Sequence, residues 1–244
     1  MKRVEDLNPY REGAKTEQVE EMFDHIAPAY DRMNRLMSLG FDRRWLRRLV
    51  ETVKAKNPGR IVDMATGTGD VALALAAALP DAEITGIDLS EGMLRLAREK
   101  KEKAGAGKVD FVRGDCLHTG LPDDSVDVIT VAYGVRNFAD IAAGYEEMLR
   151  ILRPGGIVAV LELCEPRKRL VAPFYTLYTR MAIPMAGKFF AGDREAYAYL
   201  PASIHAAPAY GQMTLLMAET GFVRSAYTNL FPGVCNLYTA QKYC

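Results

Sequence analysis

Net charge is the first thing this chain lacks: across 244 residues, 31 lysines and arginines are matched by 31 aspartates and glutamates. A domain that grips nucleic acid normally carries excess positive charge, so the balance argues against RNA or DNA as a partner. Histidine is scarce, with only His25, His118 and His205. The four cysteines, Cys116, Cys164, Cys235 and Cys244, are scattered and form no Cys-x-x-Cys pair. These sets offer no zinc-ligand spacing, and a reduced, metal-free protein of the cytoplasm is the expectation. Long apolar runs are missing as well. The longest, residues 71–79, is helix-core length, well short of the roughly 20 residues of a membrane span. Residues 1–15 are charged and polar, so no secretory leader is expected.

What is present is a globular composition, with 49% hydrophobic and 25% charged residues. Residues 1–244 read as one domain with four parts: a helical cap (1–55), a core (56–165), an inserted helical segment (166–207), and a final helix with closing strands (208–244). In the cap, Thr16 can cap a helix, with Glu17 in its first turn. Met22, Phe23 and Ile26 follow at helical spacing until Pro28 interrupts them. A second helix is expected over 36–54, where Arg43, Arg44, Arg47 and Arg48 flank Trp45. Two readings fit that basic stretch: a solvated helix face with an apolar anchor, or contact with anionic lipid head groups.

The core alternates. Strands are expected at 60–65, 83–88, 109–113, 126–132 and 157–163. Between the first two lies the helical run 71–79. After the second, Ser90 caps a helix carrying Met93, Leu94 and Ala97. Ile141, Tyr145, Met148, Leu149 and Leu152 make another helical stripe, stopped by Pro154-Gly155-Gly156. This rhythm predicts an α/β fold, a doubly wound and mostly parallel sheet covered on both faces. Residues 171–207 read as inserted helices and 208–221 as a helix ended by Gly221. Residues 222–230 and 233–242 read as a closing antiparallel hairpin joined by Pro232-Gly233. A parallel sheet finished this way resembles the methyltransferase form of the Rossmann architecture.

The first strand runs into Asp63-Met64-Ala65-Thr66-Gly67-Thr68-Gly69-Asp70. Gly67 and Gly69 let the backbone pass close to a ligand, and Asp88, ending the second strand, can accept from both hydroxyls of a ribose. Two features favour S-adenosylmethionine over a nicotinamide dinucleotide. Ala72 stands where a third glycine would be needed, and a dinucleotide wants its pyrophosphate at a helix start. A sulfonium amino acid instead carries an ammonium, which Asp63 and Asp70 can face. Asp115-Cys116 follows the third strand, where Asp115 can accept from the adenine amine. The expected cofactor contacts are Asp63, Ala65, Gly67, Thr68, Gly69, Asp88, Asp115 and Cys116.

Four further stretches narrow the reading. They are residues 23–34 (Phe-Asp-His-Ile-Ala-Pro-Ala-Tyr-Asp-Arg-Met-Asn), 133–137 (Tyr-Gly-Val-Arg-Asn), 197–204 (Tyr-Ala-Tyr-Leu-Pro-Ala-Ser-Ile), and 233–238 (Gly-Val-Cys-Asn-Leu-Tyr) with Lys242. Together they resemble the ubiquinone/menaquinone biosynthesis C-methyltransferases, from about residue 17 to 242, and Ala65 before the paired glycines is similar to that family too. The resemblance implies methyl transfer from S-adenosylmethionine to a ring carbon of a polyprenylated hydroquinone, demethylmenaquinol to menaquinol. It also implies that Thr68, Asp88 and the 115–116 position touch the cofactor. Asp115-Cys116 departs from a frequent Asn-Ala, and Ala132 from a frequent serine. Backbone contacts survive both changes, whereas a side-chain contact at Ala132 would not.

A phenol has a pKa of roughly 10, and a fixed positive charge beside it would stabilise the phenolate that makes the ring carbon nucleophilic. Arg136 is the candidate for that charge, with Asn137 orienting it or the substrate, and Tyr30 as a second candidate lining the pocket. Arg136 could equally be a structural salt bridge, and Tyr30 a packed core aromatic. His25 and His205 rank lower; Tyr197, Tyr199, Ser203 and the aromatic stretch 174–190 suit either a quinol groove or a helical core. Competing readings are a benzoquinol methyltransferase, a non-catalytic cofactor-binding subunit, and a nicotinamide-dependent oxidoreductase. The last would need a Tyr-x-x-x-Lys pair, whose spacing occurs at Tyr238 and Lys242, but on an expected terminal strand. A homodimer and peripheral contact with the inner face of a membrane are both compatible with the sequence.

Overall fold

Apolar runs too short for helices and bounded by turn residues become buried strands, and here they assemble into one seven-stranded sheet. The computed structural model describes residues 15–167, 175 and 194–244. The five parallel strands are β1 (Arg60–Met64), β2 (Glu83–Asp88), β3 (Val109–Arg113), β4 (Val126–Ala132) and β5 (Leu152–Leu163). They are joined with β6 (Val223–Leu230) and β7 (Cys235–Gln241) in the order β3-β2-β1-β4-β5-β7-β6. The closing hairpin is antiparallel, with β7 paired to β5. Strand order reverses between β1 and β4, and a doubly wound sheet binds its ligand beyond the carboxyl ends of the strands at such a switch point.

Helices α1 (Lys15–Met37), α2 (Asp42–Lys54), α3 (Asp70–Ala78), α4 (Glu91–Ala104), α5 (Ile141–Ile151), α6 (Arg194–Ala206) and α7 (Gly211–Glu219) surround the sheet. One face is closed by Trp45, Leu49 and Val53 of α2 with Leu75 of α3 and Leu94 of α4. The other is closed by Tyr145 and Met148 of α5 with Met213 and Met217 of α7. Helix α1 packs separately, placing Met22, Ile26 and Ala27 against Met93 of α4 and Tyr199 of α6. No helix among the described residues is long and apolar enough to cross a membrane.

Several boundaries differ from the sequence reading for physical reasons. Helix α1 runs straight through Pro28. The proline removes one backbone hydrogen bond but stands on the exposed side, while Met22, Ala27 and Met33 bury the opposite stripe. Thr16 consequently lies within the helix rather than at its cap. The helix expected over 36–54 is two pieces, because Leu39 and Gly40 take left-handed φ values of 52° and 79° and turn the chain. Strand β5 begins at Leu152, where the sequence placed the end of a helix. Its pairing with β4 skips from Val126–Leu152 to Val128–Ile157, so residues 153–156 bulge, with Gly155 at φ 79°. Residues 1–14, and 168–193 apart from Tyr175, lie outside the described residues, and with them the aromatic stretch expected to form a tail groove. The side chain of Tyr197 lies outside them too.

Candidate active site

The loop after β1 is shaped by buried carboxylates. Asp63, 1% exposed, accepts from the Thr66 hydroxyl at 2.6 Å and from the Thr130 hydroxyl of β4 at 2.6 Å. Burial pushes its pKa up to about 6, with the two threonine hydroxyls pulling the other way. Beyond it, Ala65, Gly67 and Gly69 all adopt positive φ (51°, 55° and 81°). At Gly69 a Cβ would stand 2.6 Å from the Phe111 ring, so this position excludes a side chain on space as well as conformation. The turned loop delivers the Gly67 N–H to Asp88 Oδ2 at 2.7 Å, while Ser90 N–H donates to Oδ1 at 3.0 Å. Burial raises the Asp88 carboxyl, opposed by the backbone donors of Ser90, Gly67 and Leu89. Cys116 Sγ accepts from Ala65 N–H at 3.2 Å, and Asp115 Oδ1 from Leu117 N–H at 2.9 Å. Burial raises the Cys116 thiol far above its usual range, so it is a packed neutral thiol rather than a nucleophile.

Helix α1 is pinned over this loop by polar contacts that sequence reasoning did not foresee. Thr68 donates to Asp31 at 2.5 Å, and Lys100 of α4 reaches Asp31 (2.5 Å), Asp70 (2.6 Å) and the Thr68 hydroxyl (2.8 Å). Asp24 accepts from Ser90 Oγ at 2.5 Å and Gly92 N–H at 2.9 Å. At Gly92 a Cβ would meet Asp24 Oδ1 at 2.9 Å. The Asp-x-x-x-x-x-x-Asp spacing of Asp24 and Asp31, two helical turns apart, was the available signal.

Between α1 and the ends of β1, β2 and β4 lies an open cleft. Of the expected residues, Tyr30, Ala65, Gly67, Asp88, Asp115, Cys116 and Asn137 line it. Asp63, Thr68, Gly69 and Arg136 are not on its wall; the first three shape and anchor the loop. Ala132 is on the wall. Among the described residues the lining carries the carboxylates of Glu20, Asp88 and Asp115 and no lysine or arginine, while Phe23, Tyr30, Tyr133 and Phe138 supply aromatic surface.

Arg136 sits behind that wall in the 3-10 turn Val135–Asn137 that follows β4. Its guanidinium lies 2.6 Å from Glu162 Oε1, bonds the Tyr133 carbonyl, and its backbone N–H donates to Glu162 Oε2 at 3.2 Å. Arg136 Nε is buried without a hydrogen-bond partner among the described residues. Burial works against the charge, but Glu162 more than restores it, and Arg136 holds its proton more firmly than usual. Neighbouring Asn137 Oδ1 accepts from Tyr199 OH at 3.3 Å. Glu162 was missed in the sequence, although a lone carboxylate inside an otherwise apolar strand was its signal. Of the lower-ranked candidates, His205 forms an exposed pair with Glu165 at 3.0 Å and His25 is exposed on α1. Tyr238 OH accepts from Tyr210 N–H (2.7 Å) and Asn236 Nδ2 (2.8 Å) within the sheet, so it is a structural hydroxyl, not half of a Tyr-Lys proton relay.

The site fits S-adenosylmethionine. Asp88 spends one backbone contact on each oxygen, and a carboxylate has about four lone-pair sites, so acceptors remain for ribose hydroxyls. The acids of the described wall, Glu20, Asp88 and Asp115, suit a sulfonium and disfavour a pyrophosphate.

Solved structures share the architecture. A SAM-dependent methyltransferase from Aquifex aeolicus superposes with a TM-score of 0.56 at 18% identity, over 79% of this chain and 88% of that one. The [4+2]-cyclase SpnF does so with a TM-score of 0.64 at 17% identity, over 95% and 97%. The fold is that of the class I S-adenosylmethionine-dependent methyltransferases. Residues 11–242 match the ubiE/COQ5 methyltransferase family, and the chain belongs to it. A relative from Bacteroides fragilis named demethylmenaquinone methyltransferase is 42% identical over 98% of both chains. One from Geobacter sulfurreducens, named ubiquinone/menaquinone biosynthesis C-methyltransferase UbiE, is 41% identical over 97% of this chain and 93% of its own. This protein is an S-adenosylmethionine-dependent methyltransferase.

Proposed function

We propose that the protein transfers a methyl group from S-adenosylmethionine to a ring carbon of a polyprenylated naphthoquinol, converting a demethylmenaquinol to a menaquinol. The observation that carries this reading is the make-up of the cleft, whose lining joins acids that suit the cofactor (Asp88, Asp115) with aromatic surface and Asn137, next in sequence to Arg136 of the buried Arg136–Glu162 pair.

Bound S-adenosylmethionine supplies an electrophilic methyl on a sulfonium. Asp88 and Asp115 would hold its adenosine, through the ribose hydroxyls and the adenine amine. Thr68, Gly69 and Asp63 keep the loop in register. Tyr30 and Asn137 frame the ring that is to be methylated. The charge of Arg136 bears on phenols here: burial raises the hydroxyls of Tyr30 and Tyr199, and Arg136 pulls both back toward ionisation. The same field lowers the cost of a quinol phenolate in the neighbouring cleft. An arginine stays protonated, so the phenol proton passes to water rather than to Arg136. The phenolate then pushes its electron pair into the ring. The cofactor, when bound, would supply the methyl to that ring carbon; the ring proton would leave to water as aromaticity returns, and the phenolate oxygen would take a proton back to give the quinol.

The prenyl tail of such a substrate partitions into lipid, so the reading puts the protein in the cytoplasm against the inner face of the membrane. A benzoquinol substrate is the second reading, favoured by the double name of the Geobacter sulfurreducens relative. Incubation with S-adenosylmethionine and a demethylnaphthoquinol tests the choice. Turnover of the reduced quinol, and none of the oxidised quinone, supports the proposal. Turnover of a benzoquinol alone selects the second reading, and turnover of neither removes both.

A further inference from the structure

One surface of the N-terminal helices is not used by the reaction described above. Arg43, Arg44, Arg47 and Arg48 are all exposed on α2, while Trp45, Leu49 and Val53 hold the opposite face in the core. Pairs three and four residues apart share a helix face, so the four arginines form one patch about one and a half turns long. Against them stands Glu51, 3.3 Å from Arg48. Among the described residues no carboxylate forms an ion pair with Arg43, Arg44 or Arg47. In a chain of zero net charge this is a local concentration of positive charge.

Two large apolar side chains protrude at the N-terminal end of the same helix. Leu39, 68% exposed, tips the turn between α1 and α2 with its backbone held at φ 52°, and Phe231, 63% exposed, tips the turn between β6 and β7. Phe231 is fixed to α2: its carbonyl accepts from Trp45 Nε1 at 2.8 Å, and its ring meets Phe41 edge-on at 5.4 Å. Basic side chains bordered by protruding Leu and Phe are what an interfacial surface presents to anionic lipid, cations to the phosphates and apolar tips to the acyl boundary. A second copy of the chain fits less well, because a two-fold contact through this patch would set arginines against arginines. Nucleic acid would leave the apolar tips unmatched. The buried face of the same helix reaches the site: the Trp45 ring meets Tyr133 at 6.5 Å, and Tyr133 lines the cleft.

We propose that the exposed face of α2, with Leu39 and Phe231, docks the protein on an anionic bilayer. The inference draws its purpose from the quinol reading, since a prenylated substrate is delivered from lipid, but its test does not depend on it. The full-length protein is sedimented with phosphatidylcholine vesicles with and without phosphatidylglycerol. The wild type is compared with Arg43→Gln/Arg44→Gln/Arg47→Gln/Arg48→Gln and with Leu39→Ser/Phe231→Ser, each checked for an unchanged melting temperature and S-adenosylhomocysteine affinity. The expected result is binding that requires phosphatidylglycerol, weakens with salt, and falls by at least about tenfold in the arginine variant and measurably in the apolar one. Absence of binding, equal binding by the variants, binding to RNA in place of vesicles, or a wild-type dimer that the substitutions dissociate would each overturn it. Turnover of a short-chain, water-soluble quinol is measured alongside. A wild type that turns over this quinol but does not bind the vesicles refutes the docking surface alone, and one that binds them as expected without turnover refutes the quinol reading alone.

Discussion

Glu162 holds Arg136 at 2.6 Å with the two side chains only 2% and 7% exposed, and the same carboxylate accepts the backbone N–H of Arg136 (3.2 Å) and of Leu163 (3.0 Å). One side chain of β5 therefore fixes both the charge and the backbone of the turn that carries Asn137 to the cleft. Glu162→Gln leaves the guanidinium buried without its counter-charge, which costs about 3–5 kcal/mol. Urea unfolding should register that loss. Turnover should fall while S-adenosylhomocysteine affinity stays put, because the cofactor side of the cleft is untouched; a parallel loss of cofactor affinity would assign the pair a purely structural role.

Asp88 joins the glycine loop to α4 and faces the cleft. Asp88→Ala removes the acceptor for Gly67 N–H and for the ribose, and calorimetry should read S-adenosylhomocysteine binding weaker by about 100-fold, or about 3 kcal/mol. Asp115→Asn keeps an acceptor oxygen and should weaken binding by less than about tenfold.

Stability should carry the signature of Asp63. Its folded pKa of about 6 lies above the ordinary 3.8, so the unfolded chain gives up this proton first. The favourable contribution is complete below the unfolded value and is lost as pH rises through the folded one, about 3 kcal/mol in all. Asp63→Asn keeps one acceptor and one donor for Thr66 and Thr130 but has no proton to lose. Relative to wild type, the variant should gain stability between about pH 4 and pH 7, read as the difference in urea midpoints. A difference that does not change with pH would contradict the burial of a titrating carboxyl.

Gly134 marks the closest approach of the two strand ends. A Cβ there would lie 2.5 Å from Ala65 Cβ and 3.2 Å from Val131 Cγ1. Gly134→Ala should therefore lower stability by about 1–3 kcal/mol and disturb the loop at Ala65, seen as weaker cofactor binding in the same calorimetric titration.

The core was legible in the sequence because its signals are local. The spans of β2, β3 and β4 and the Ser90 cap (Met93 N–H to Ser90 Oγ, 3.1 Å) follow from alternation and capping. Of the cleft, Asp88, Asp115, Gly67, Tyr30 and Asn137 were found from spacing or family resemblance. What escaped depends on distant pairs. Nothing local announces that Glu162 meets Arg136 or that Lys100 gathers Asp31, Thr68 and Asp70. Pro28 misled for a related reason, since burial of one helix face outweighs a single missing backbone bond.

The most direct test of methylation at carbon uses S-adenosylmethionine bearing a trideuterated methyl group, with a demethylnaphthoquinol and dithionite, followed by fragmentation of the product in a mass spectrometer. The expected product carries all three deuterons on a ring carbon, with both oxygens free to be reoxidised to the quinone. A trideuteromethyl ether that blocks reoxidation, or an unlabelled quinone recovered intact, would contradict C-methylation by this site.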